Sequence, residues 1–273
     1  MKQLSYGVVV STSIGVRRII DSARHAEDSG LDYFFTTDHY ITPSSNAGVD
    51  AWAMLAAVAA TTKRIKIGTC VTPITFRPPA QLAKIVSTVD IISEGRTVLG
   101  VGAGWSHAEF LGFSKWDADP RKRFARAKEA CELILKLWDS KDPVSFKGKF
   151  YEANGAIIEP KPVRHRIPLW FGTQGNSMLK LAAQHAEGWL PPVPGIPMEE
   201  YERVISVLRS REKLHQRSAP VRISCNGTLS ELNSKLEQYR NIGCEVALLV
   251  RSSPNALSED IANFSKSIMT TFS

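Results

Sequence analysis

Short apolar runs recur along the whole chain, and segments with helical periodicity separate them. The runs are rich in β-branched and aromatic residues and are four to seven residues long, which is typical of strands. They predict strands at residues 4–10, 33–37, 65–71, 97–101, 168–172, 188–191, 221–226 and 246–250. The run at 188–191 has the poorest strand pattern of the eight.

Three of the intervening segments carry clear helix signals. Apolar residues at positions 82, 85, 86, 89 and 92 follow the helical spacing, and Gly95 comes after them as a stop. Asp119 and Pro120 form an N-cap followed by a proline at the first helical position, and apolar residues then lie on one face as far as position 138. Thr228 and Glu231 have the spacing of a capping box, which predicts a helix that ends before position 243.

The alternation of strands with helices predicts the fold class. Strands joined by helices pair in parallel, and eight such units close most naturally into a TIM (β/α)8 barrel, so we predict an α/β barrel. An open doubly wound sheet is the alternative, although it more often has five or six strands. Residues 143–164 interrupt the alternation and predict a small hairpin between the fourth helix and the fifth strand. We expect residues 1–273 to form a single domain.

Composition and charge exclude several classes of protein. Hydrophobic residues make up 43% of the chain and charged residues 22%, which is typical of a soluble globular protein. The net charge of +7 at pH 7 would suit a polyanionic partner, but the basic residues are scattered through the helices, so we interpret them as a solvated surface and expect no nucleic-acid partner. No apolar run approaches the ~18 residues that a membrane span needs, and no secretory signal is recognisable. We therefore expect a cytoplasmic protein without a membrane partner.

Metal, disulfide and Schiff-base chemistry have little support in the sequence. The four cysteines are far apart and form no C-x-x-C pair, so we expect most of them to be inert core thiols and expect no metal site. His107-x-Glu109 resembles part of the deaminase zinc signature, but the downstream P-C-x-x-C is missing. Lys2 and Lys66 stand at strand beginnings, which is the wrong rim of a barrel for a catalytic lysine.

Candidate site residues follow four of the predicted strands. In a barrel the active site lies at the carboxyl ends of the strands and is built by the loops that follow them. The residues that we expect to converge there are Thr37, Asp38, His39 and Tyr40 after strand 2; Cys70, Val71 and Thr72 after strand 3; Gly102, Ala103, Gly104 and Trp105 after strand 4; and Gly172, Thr173, Gln174 and Gly175 after strand 5.

Two features of this set suggest chemistry. His39 beside Asp38 could act as a general acid or base, because an imidazole titrates near neutral pH, although a single loop histidine is more often structural. Gly102 and Gly104 would let the backbone approach a flat or anionic ligand, or they could simply turn the chain. A dinucleotide fingerprint is excluded there because Trp105 takes the place of the last glycine.

The motifs, taken in order, carry a resemblance to a known family. They are TTDHY at 36–40, KIGTCVTP with RPPAQLAKIVSTVDIISEGR within 66–96, LGVGAGWSHAEFLGF at 99–113, RFARAKEACELILKLW at 123–138, SFKGKFYE with PKP within 145–162, and PLWFGTQGNSMLKLAAQHAEGW at 168–189. As an ordered set they resemble the bacterial luciferase-like monooxygenase superfamily, and more closely its branch of oxidoreductases that depend on the deazaflavin coenzyme F420.

This resemblance implies a fold, a cofactor and roles for residues. It implies a TIM barrel with an insertion, a cofactor ring lying across the strand ends, and a non-proline cis peptide at Cys70–Val71 that bulges against the ring. It also implies that Asp38 and His39 lie near the ring, that residues 102–105 line the cofactor groove, and that residues 172–175 contact its phosphate region. The family often has a second glycine where this chain has Thr173, which could alter the phosphate contact. Family members are commonly dimers, so a homodimer is expected.

The predicted function follows from these implications. We expect an oxidoreductase that transfers a hydride between F420 and a small organic substrate, with His39 handling a proton and Asp38 orienting His39. An FMN-dependent monooxygenase on the same scaffold is the first alternative, because both cofactors have a flat ring and a phosphate. The second alternative is a non-catalytic flavin-binding relative.

Overall fold

A closed barrel of parallel strands forms the centre of the protein. The structure is a computed structural model, and it describes residues 4–41, 47–114, 119–215, 219–251 and 257–270. The strands are β1 Ser5–Val10, β2 Tyr33–Thr36, β3 Lys66–Thr69, β4 Thr72–Pro73, β5 Thr97–Gly102, β6 Val144–Lys147, β7 Glu152–Ala156, β8 Leu169–Gly172, β9 Gly188–Leu190, β10 Arg222–Gly227 and β11 Val246–Arg251. Their order around the barrel is β3, β2, β1, β11, β10, β9, β8 and β5.

Pairing of the two end strands closes the sheet. Ile67 and Gly68 of β3 pair in parallel with Thr97 and Val98 of β5, so the sheet has no free edge along this seam. The predicted TIM barrel is therefore confirmed, and the open doubly wound sheet is wrong. β6 and β7 form a separate antiparallel hairpin, which confirms the insertion predicted within 143–164.

Helices cover the outside of the barrel and begin and end near the predicted signals. They are α1 Val16–Asp28, α2 Ala51–Thr61, α3 Pro79–Ile92, α4 His107–Phe113, α5 Pro120–Asp139, α6 Asn176–His185, α7 Met198–Leu214, α8 Leu229–Asn241 and α9 Leu257–Phe264. The side chain of Asp119 caps α5, and Thr228 with Glu231 forms the predicted capping box at the start of α8. Within the described residues, no helix is long and apolar enough to cross a membrane.

Alternate residues of each strand point into the barrel or out to the helices. Tyr33 and Phe35 of β2 belong to a small interior cluster, whereas Phe34 between them packs in the larger layer under the helices. The interior cluster consists of Val9, Tyr33, Phe35, Val98, Trp170, Leu190, Val246 and Leu248. Because both faces of the strands are buried, the strands appear in the sequence as nearly continuous apolar runs.

The third predicted strand, at 65–71, is the main departure from the sequence analysis. The chain breaks into β3 and β4 around a cis peptide bond between Cys70 and Val71, and β4 then pairs with Val101 and Gly102 of β5. This is the bond that the family resemblance implied, and its cis geometry is confirmed. The break places Val71 at the carboxyl end of the barrel, where the candidate site residues meet.

Candidate active site

An open cleft of about 240 Å3 lies at the carboxyl ends of the barrel strands. It is lined by His39, Cys70, Val71, Pro73, Gly102, Ala103, Gly104, Trp105, Gly172, Thr173, Pro191 and Pro192. Loops after β2, β3, β5, β8 and β9 supply these residues, so fragments distant in the sequence share one surface. Most of the predicted site residues therefore converge, whereas six lie outside this lining: Thr37, Asp38, Tyr40, Thr72, Gln174 and Gly175.

His39 is paired with a buried carboxylate at the edge of the cleft. Its Nδ1 atom lies 2.7 Å from Oε2 of Glu109, and Glu109 has no exposed surface. The other carboxylate oxygen of Glu109, Oε1, accepts the backbone N–H groups of Tyr40 and Ile41 at 2.7 and 3.1 Å. Because these donors and the burial of Glu109 fix its position, the imidazole of His39 is oriented by it.

The predicted pairing of Asp38 with His39 is wrong in its geometry. Asp38 is fully buried, and both of its oxygens accept hydrogen bonds from Arg77, at 2.7 and 3.0 Å. The hydroxyl of Thr72 also donates to Asp38, at 2.8 Å. Nη2 of Arg77 also donates a hydrogen bond to Oδ2 of Asp50, the N-cap of α2, at 2.6 Å. Asp38 therefore belongs to an ion-pair network behind the cleft, and Glu109 occupies the orienting position.

The neighbours of Arg77 and Asp50 shift the pKa of each group towards its charged form. Burial acts to lower the pKa of Arg77, but Asp38 and Asp50 outweigh it and raise the pKa well above its usual range. Burial acts to raise the pKa of Asp50, yet the Ala53 backbone N–H and Arg77 hold it below its ordinary value. Burial raises the pKa of the nearby Tyr40 hydroxyl to about 12. Arg77 and Asp50 are therefore charged at neutral pH, and Tyr40 stays a neutral phenol.

Val71 packs directly against two glycines that form the wall of the cleft. A β-carbon added at Gly172 would lie 2.7 Å from Cγ1 of Val71, and one added at Gly102 would lie 2.9 Å from Cγ2. Both distances are shorter than real contacts, so these positions need bare backbone while Val71 stays in place. The result is a smooth wall made of main chain and one branched side chain. The neighbouring Cys70 is half-buried in the cleft lining, and burial raises the pKa of its thiol to about 12, so the thiol is protonated at neutral pH.

Trp105 stands at the open rim of the cleft. Its ring lies edge-on to that of His39 with 5.4 Å between centroids, and 66% of the residue is exposed. Gly104 before it has a φ angle of +80°, and a β-carbon there would lie 2.5 Å from the ring of Phe110. A glycine is therefore required at 104 to bring Trp105 to the rim.

The loop after β8 continues from the cleft to the beginning of α6. Thr173 lines the cleft, and its hydroxyl oxygen accepts the backbone N–H of Gly175 at 3.2 Å. Gly175 is the N-cap of α6, and Arg203 of α7 donates to the carbonyl oxygen of Gln174 at 2.6 Å. Gln174 and Gly175 thus sit where a ligand that extends out of the cleft would meet a helix N-terminus.

The sequence analysis missed Glu109 and Arg77 as parts of this region. Glu109 was considered only as part of a metal motif, and in the described part of the chain no three His, Cys, Asp or Glu residues are grouped to hold a metal. The available signal was an acid or base soon after a strand end: Glu109 follows β5, and Arg77 follows β4.

Comparison with known proteins identifies the family of this chain. Residues 4–245 match the model of the family described as luciferase-like monooxygenase. The chain belongs to this family. Its luciferase-like fold is shared with an F420-dependent secondary alcohol dehydrogenase solved with an F420–acetone adduct, at a TM-score of 0.87 and 20% identity over 98% of both chains.

Two curated relatives share part of the luciferase-like chain at higher identity. One is an F420-dependent glucose-6-phosphate dehydrogenase from Amycolatopsis mediterranei, 36% identical over 179 residues, which are 64% of this chain and 53% of the relative. The other is a 5,10-methylenetetrahydromethanopterin reductase from Archaeoglobus fulgidus, 39% identical over 165 residues, which are 60% of this chain and 46% of the relative. The chain spans about half the length of the curated relatives it matches.

Proposed function

We propose that this protein is an oxidoreductase that transfers a hydride between coenzyme F420 and a small organic substrate. The observation that carries the proposal is the His39–Glu109 pair, which stands at the edge of a cleft with a smooth wall at the carboxyl end of a barrel. The family membership and the relatives named as F420-dependent support the choice of cofactor.

The residues of the cleft suit a flat ring with a polar tail. Bare backbone at Gly102 and Gly172, together with Val71, gives a wall on which a planar group can lie and meet only one side chain, that of Val71. A pocket that buries a whole drug-sized ligand has about 300 to 1,000 Å3. The cleft holds about 240 Å3, so a ring can enter while a tail extends along the loop towards Gly175 and the α6 N-terminus. Backbone N–H groups at a helix N-terminus favour a negatively charged tail.

The protein's own residues would then position the substrate and move one proton. When bound, F420 supplies a ring carbon that gives or takes a hydride. Because Glu109 occupies Nδ1 of His39, Nε2 is the ring nitrogen left to exchange a proton with a substrate hydroxyl or carbonyl. A carboxylate on Nδ1 holds the ring in one tautomer and one orientation. Trp105 stands beside His39, where it can cover the substrate from solvent.

The substrate class is left open by this proposal, and the named relatives provide the first probes. Glucose 6-phosphate and methylenetetrahydromethanopterin can each be supplied with oxidised or reduced F420, and absorbance of the deazaflavin reports turnover. The homodimer and the cytoplasmic location stay predictions.

Cofactor titration tests the proposal directly. Tryptophan fluorescence of the purified protein is followed during addition of F420 and, separately, of FMN. We expect saturable F420 binding at lower concentration than FMN binding. Tight binding of FMN together with weak binding of F420 would overturn the proposal in favour of the flavin monooxygenase. Binding of neither by the folded protein would favour the non-catalytic relative.

A matched pair of variants tests whether the cofactor binds in the cleft. Gly172→Ala places a methyl group against Val71 in the cleft wall, whereas Gly112→Ala adds one where nothing lies within 4 Å. We expect F420 affinity to fall in Gly172→Ala and to be unchanged in Gly112→Ala. Equal F420 affinity in both variants would show that the ring does not lie against this wall.

A further inference from the structure

A second cavity opens at the opposite end of the barrel, where the strands begin. Its volume is about 230 Å3, and Tyr33, Lys66, Val98, Trp170 and Arg222 are among the residues that line it. Each of these stands at or next to the first residue of its strand, so the cavity is separated from the carboxyl-end cleft by the length of the barrel. The proposed oxidoreductase chemistry makes no use of it.

Positive charge is concentrated around this cavity. Lys66, Arg96, Arg164 and Arg222 line it, together with one carboxylate, that of Glu187. A second carboxylate, Glu245, lies 3.7 Å from Nε of Arg222. Further carboxylates lie behind the lining, because Asp90 interacts with Arg164, and Glu27 and Glu94 interact with Arg96. The surface of the cavity itself still presents four cations and one carboxylate, so it would attract an anion, and apolar walls close to the charges would strengthen that attraction.

The hydroxyl of Tyr33 lies at the base of this charge cluster and lacks an acceptor. It accepts from Arg222 Nη1 at 2.6 Å and from Lys66 Nζ at 3.5 Å, and Tyr33 is only 1% exposed. A phenol that accepts from two cations still has its own proton to donate. Among the described residues, no acceptor within hydrogen-bond distance is found for that proton. An anionic oxygen in the cavity would accept it.

The floor of the cavity is apolar and aromatic. Tyr33 and Trp170 lie with ring centroids 5.2 Å apart at the amino end of the barrel interior, and Val98 lies beside them in the same cluster. Tyr33, Trp170 and Val98 are only 1–3% exposed, so the apolar surface open to a ligand is that of Pro168 and Pro220 at the wall. An apolar or aromatic group would cover these prolines, whereas a bare inorganic ion would leave them in water.

Charge, the hydroxyl proton and the apolar wall point to one class of ligand. We propose that the amino-terminal mouth of the barrel is a second binding site, which takes a phosphate monoester with a small apolar or aromatic body. Lys66 and the Tyr33 hydroxyl donate to the phosphate, and the body of the ligand lies against Pro168 and Pro220. Arg96 contributes charge rather than free donors, because its guanidinium is bonded to the carbonyl oxygens of Ala59, Thr62, Ile65 and Ser93.

Isothermal titration with phenyl phosphate, inorganic phosphate and phenol tests this proposal. We expect phenyl phosphate to bind with a Kd several-fold lower than that of inorganic phosphate, and phenol to bind most weakly. The affinity for phenyl phosphate is expected to fall as salt is raised, because the contact is electrostatic. Equal affinity for phenyl phosphate and inorganic phosphate, or no saturable binding of phenyl phosphate, would overturn the proposal.

Variants locate the binding and separate it from the carboxyl-end cleft. Tyr33→Phe keeps the ring but removes the donor, and Lys66→Gln removes one cation; each is expected to weaken phenyl phosphate binding about tenfold, because hydrogen bonds to charged groups are involved. Glu187→Gln removes a facing negative charge and is expected to tighten binding about two- to fivefold. Thermal unfolding of each variant shows that it is folded.

Two control variants complete the design. Lys235→Gln removes an exposed cation on α8 outside the lining of both cavities, and His39→Asn alters only the carboxyl-end cleft. Both should bind phenyl phosphate like the unchanged protein. Weaker binding in His39→Asn with normal binding in Tyr33→Phe would place the anion in the cleft and overturn the second site. These measurements need neither F420 nor turnover, so they are independent of the proposed function.

Discussion

The Nδ1 atom of His39 lies 2.7 Å from Oε2 of Glu109, although the two residues are 70 positions apart in the chain. A carboxylate can only accept, so Nδ1 carries the proton of the neutral imidazole and Nε2 carries the lone pair. Two backbone N–H groups donate to the other oxygen of the same carboxylate, and they hold it in position beside the imidazole. The geometry therefore sets which nitrogen of His39 can receive a proton.

Replacing Glu109 by glutamine should reverse the tautomer of His39. The new carboxamide can keep accepting from the backbone of Tyr40 and Ile41 through its oxygen, which turns its NH2 group towards Nδ1. We expect the neutral imidazole to carry its proton on Nε2 in Glu109→Gln and on Nδ1 in the unchanged protein. Two-bond 1H–15N NMR spectra in mildly alkaline solution distinguish the two forms.

A matched control is Glu132→Gln, which neutralises an exposed carboxylate on α5 that pairs with Lys128. Its His39 spectrum should equal that of the unchanged protein. An Nδ1 proton retained in Glu109→Gln would show that Glu109 does not set the tautomer.

Loss of Arg77 should destabilise the protein strongly. Arg77→Met leaves the fully buried carboxylate of Asp38 without its cation, and breaking a buried ion pair in this way costs about 3 to 5 kcal/mol. Urea unfolding measures this loss of unfolding free energy. In a cycle with Asp38→Asn we expect a coupling of about 2 kcal/mol between the two side chains.

The control for Arg77→Met is a variant that breaks an exposed ion pair. Lys128→Gln breaks the surface pair of Lys128 with Glu132, and its unfolding free energy should change by less than about 0.5 kcal/mol. Similar costs for Arg77→Met and Lys128→Gln would contradict the structural role of the buried network.

Acid should remove a stabilising contribution from Glu27. Burial acts to raise the pKa of this carboxyl, but the backbone N–H groups of residues 63–65 outweigh it and hold the pKa below its ordinary value of 4.5. A lowered pKa in the folded state stabilises the protein fully above pH 4.5, and the contribution is lost as pH falls through the folded pKa. Because Glu27 is partly exposed and its charge is screened by solvent, Glu27→Gln should cost at most about 1 kcal/mol at neutral pH and progressively less in acid.

Urea unfolding at several pH values checks this dependence. Asp28→Asn is the control, because Asp28 is the exposed neighbour of Glu27 at the end of α1. Its unfolding free energy at neutral pH should differ from that of the unchanged protein by less than about 0.5 kcal/mol. A cost of Glu27→Gln that stays constant into acid would show that the charge of Glu27 does not contribute.

Contact between Val71 and Gly172 should make their substitutions interdependent. Gly172→Ala forces its new methyl group against Val71 and should lower the unfolding free energy by about 1 to 3 kcal/mol through overpacking. Adding Val71→Ala makes room for that methyl group, so the double variant should recover part of the loss. Thermal unfolding of the two single variants and the double variant measures the recovery, and strictly additive losses would contradict direct contact.

The barrel could be predicted from sequence because its strands are buried on both faces. Parallel strands under helices become continuous apolar runs, and the capping residues at 119 and 228 marked where helices begin. The break at Cys70–Val71 gave no local signal, since the apolar run continues through it, and only the family resemblance implied it.

The partner of His39 could not be predicted for a geometric reason. Neighbouring residues at a strand end tend to point to opposite sides, so Asp38 turned into the network behind the cleft while His39 faced the rim. Proximity in sequence therefore suggested the wrong carboxylate. Glu109 arrives through closure of the barrel, which brings the segment after β5 beside the segment after β2.

Glu109 also links the loop after β2 to helix α4. Its carboxylate holds three successive residues after β2, namely His39, Tyr40 and Ile41, and its backbone belongs to the short helix α4. Two apolar residues of that helix, Leu111 and Phe113, are exposed at 66% and 56%. A molecule that binds to this exposed face and displaces α4 would also displace Glu109. Through the hydrogen bond of Glu109 to Nδ1, the imidazole of His39 would move with the helix.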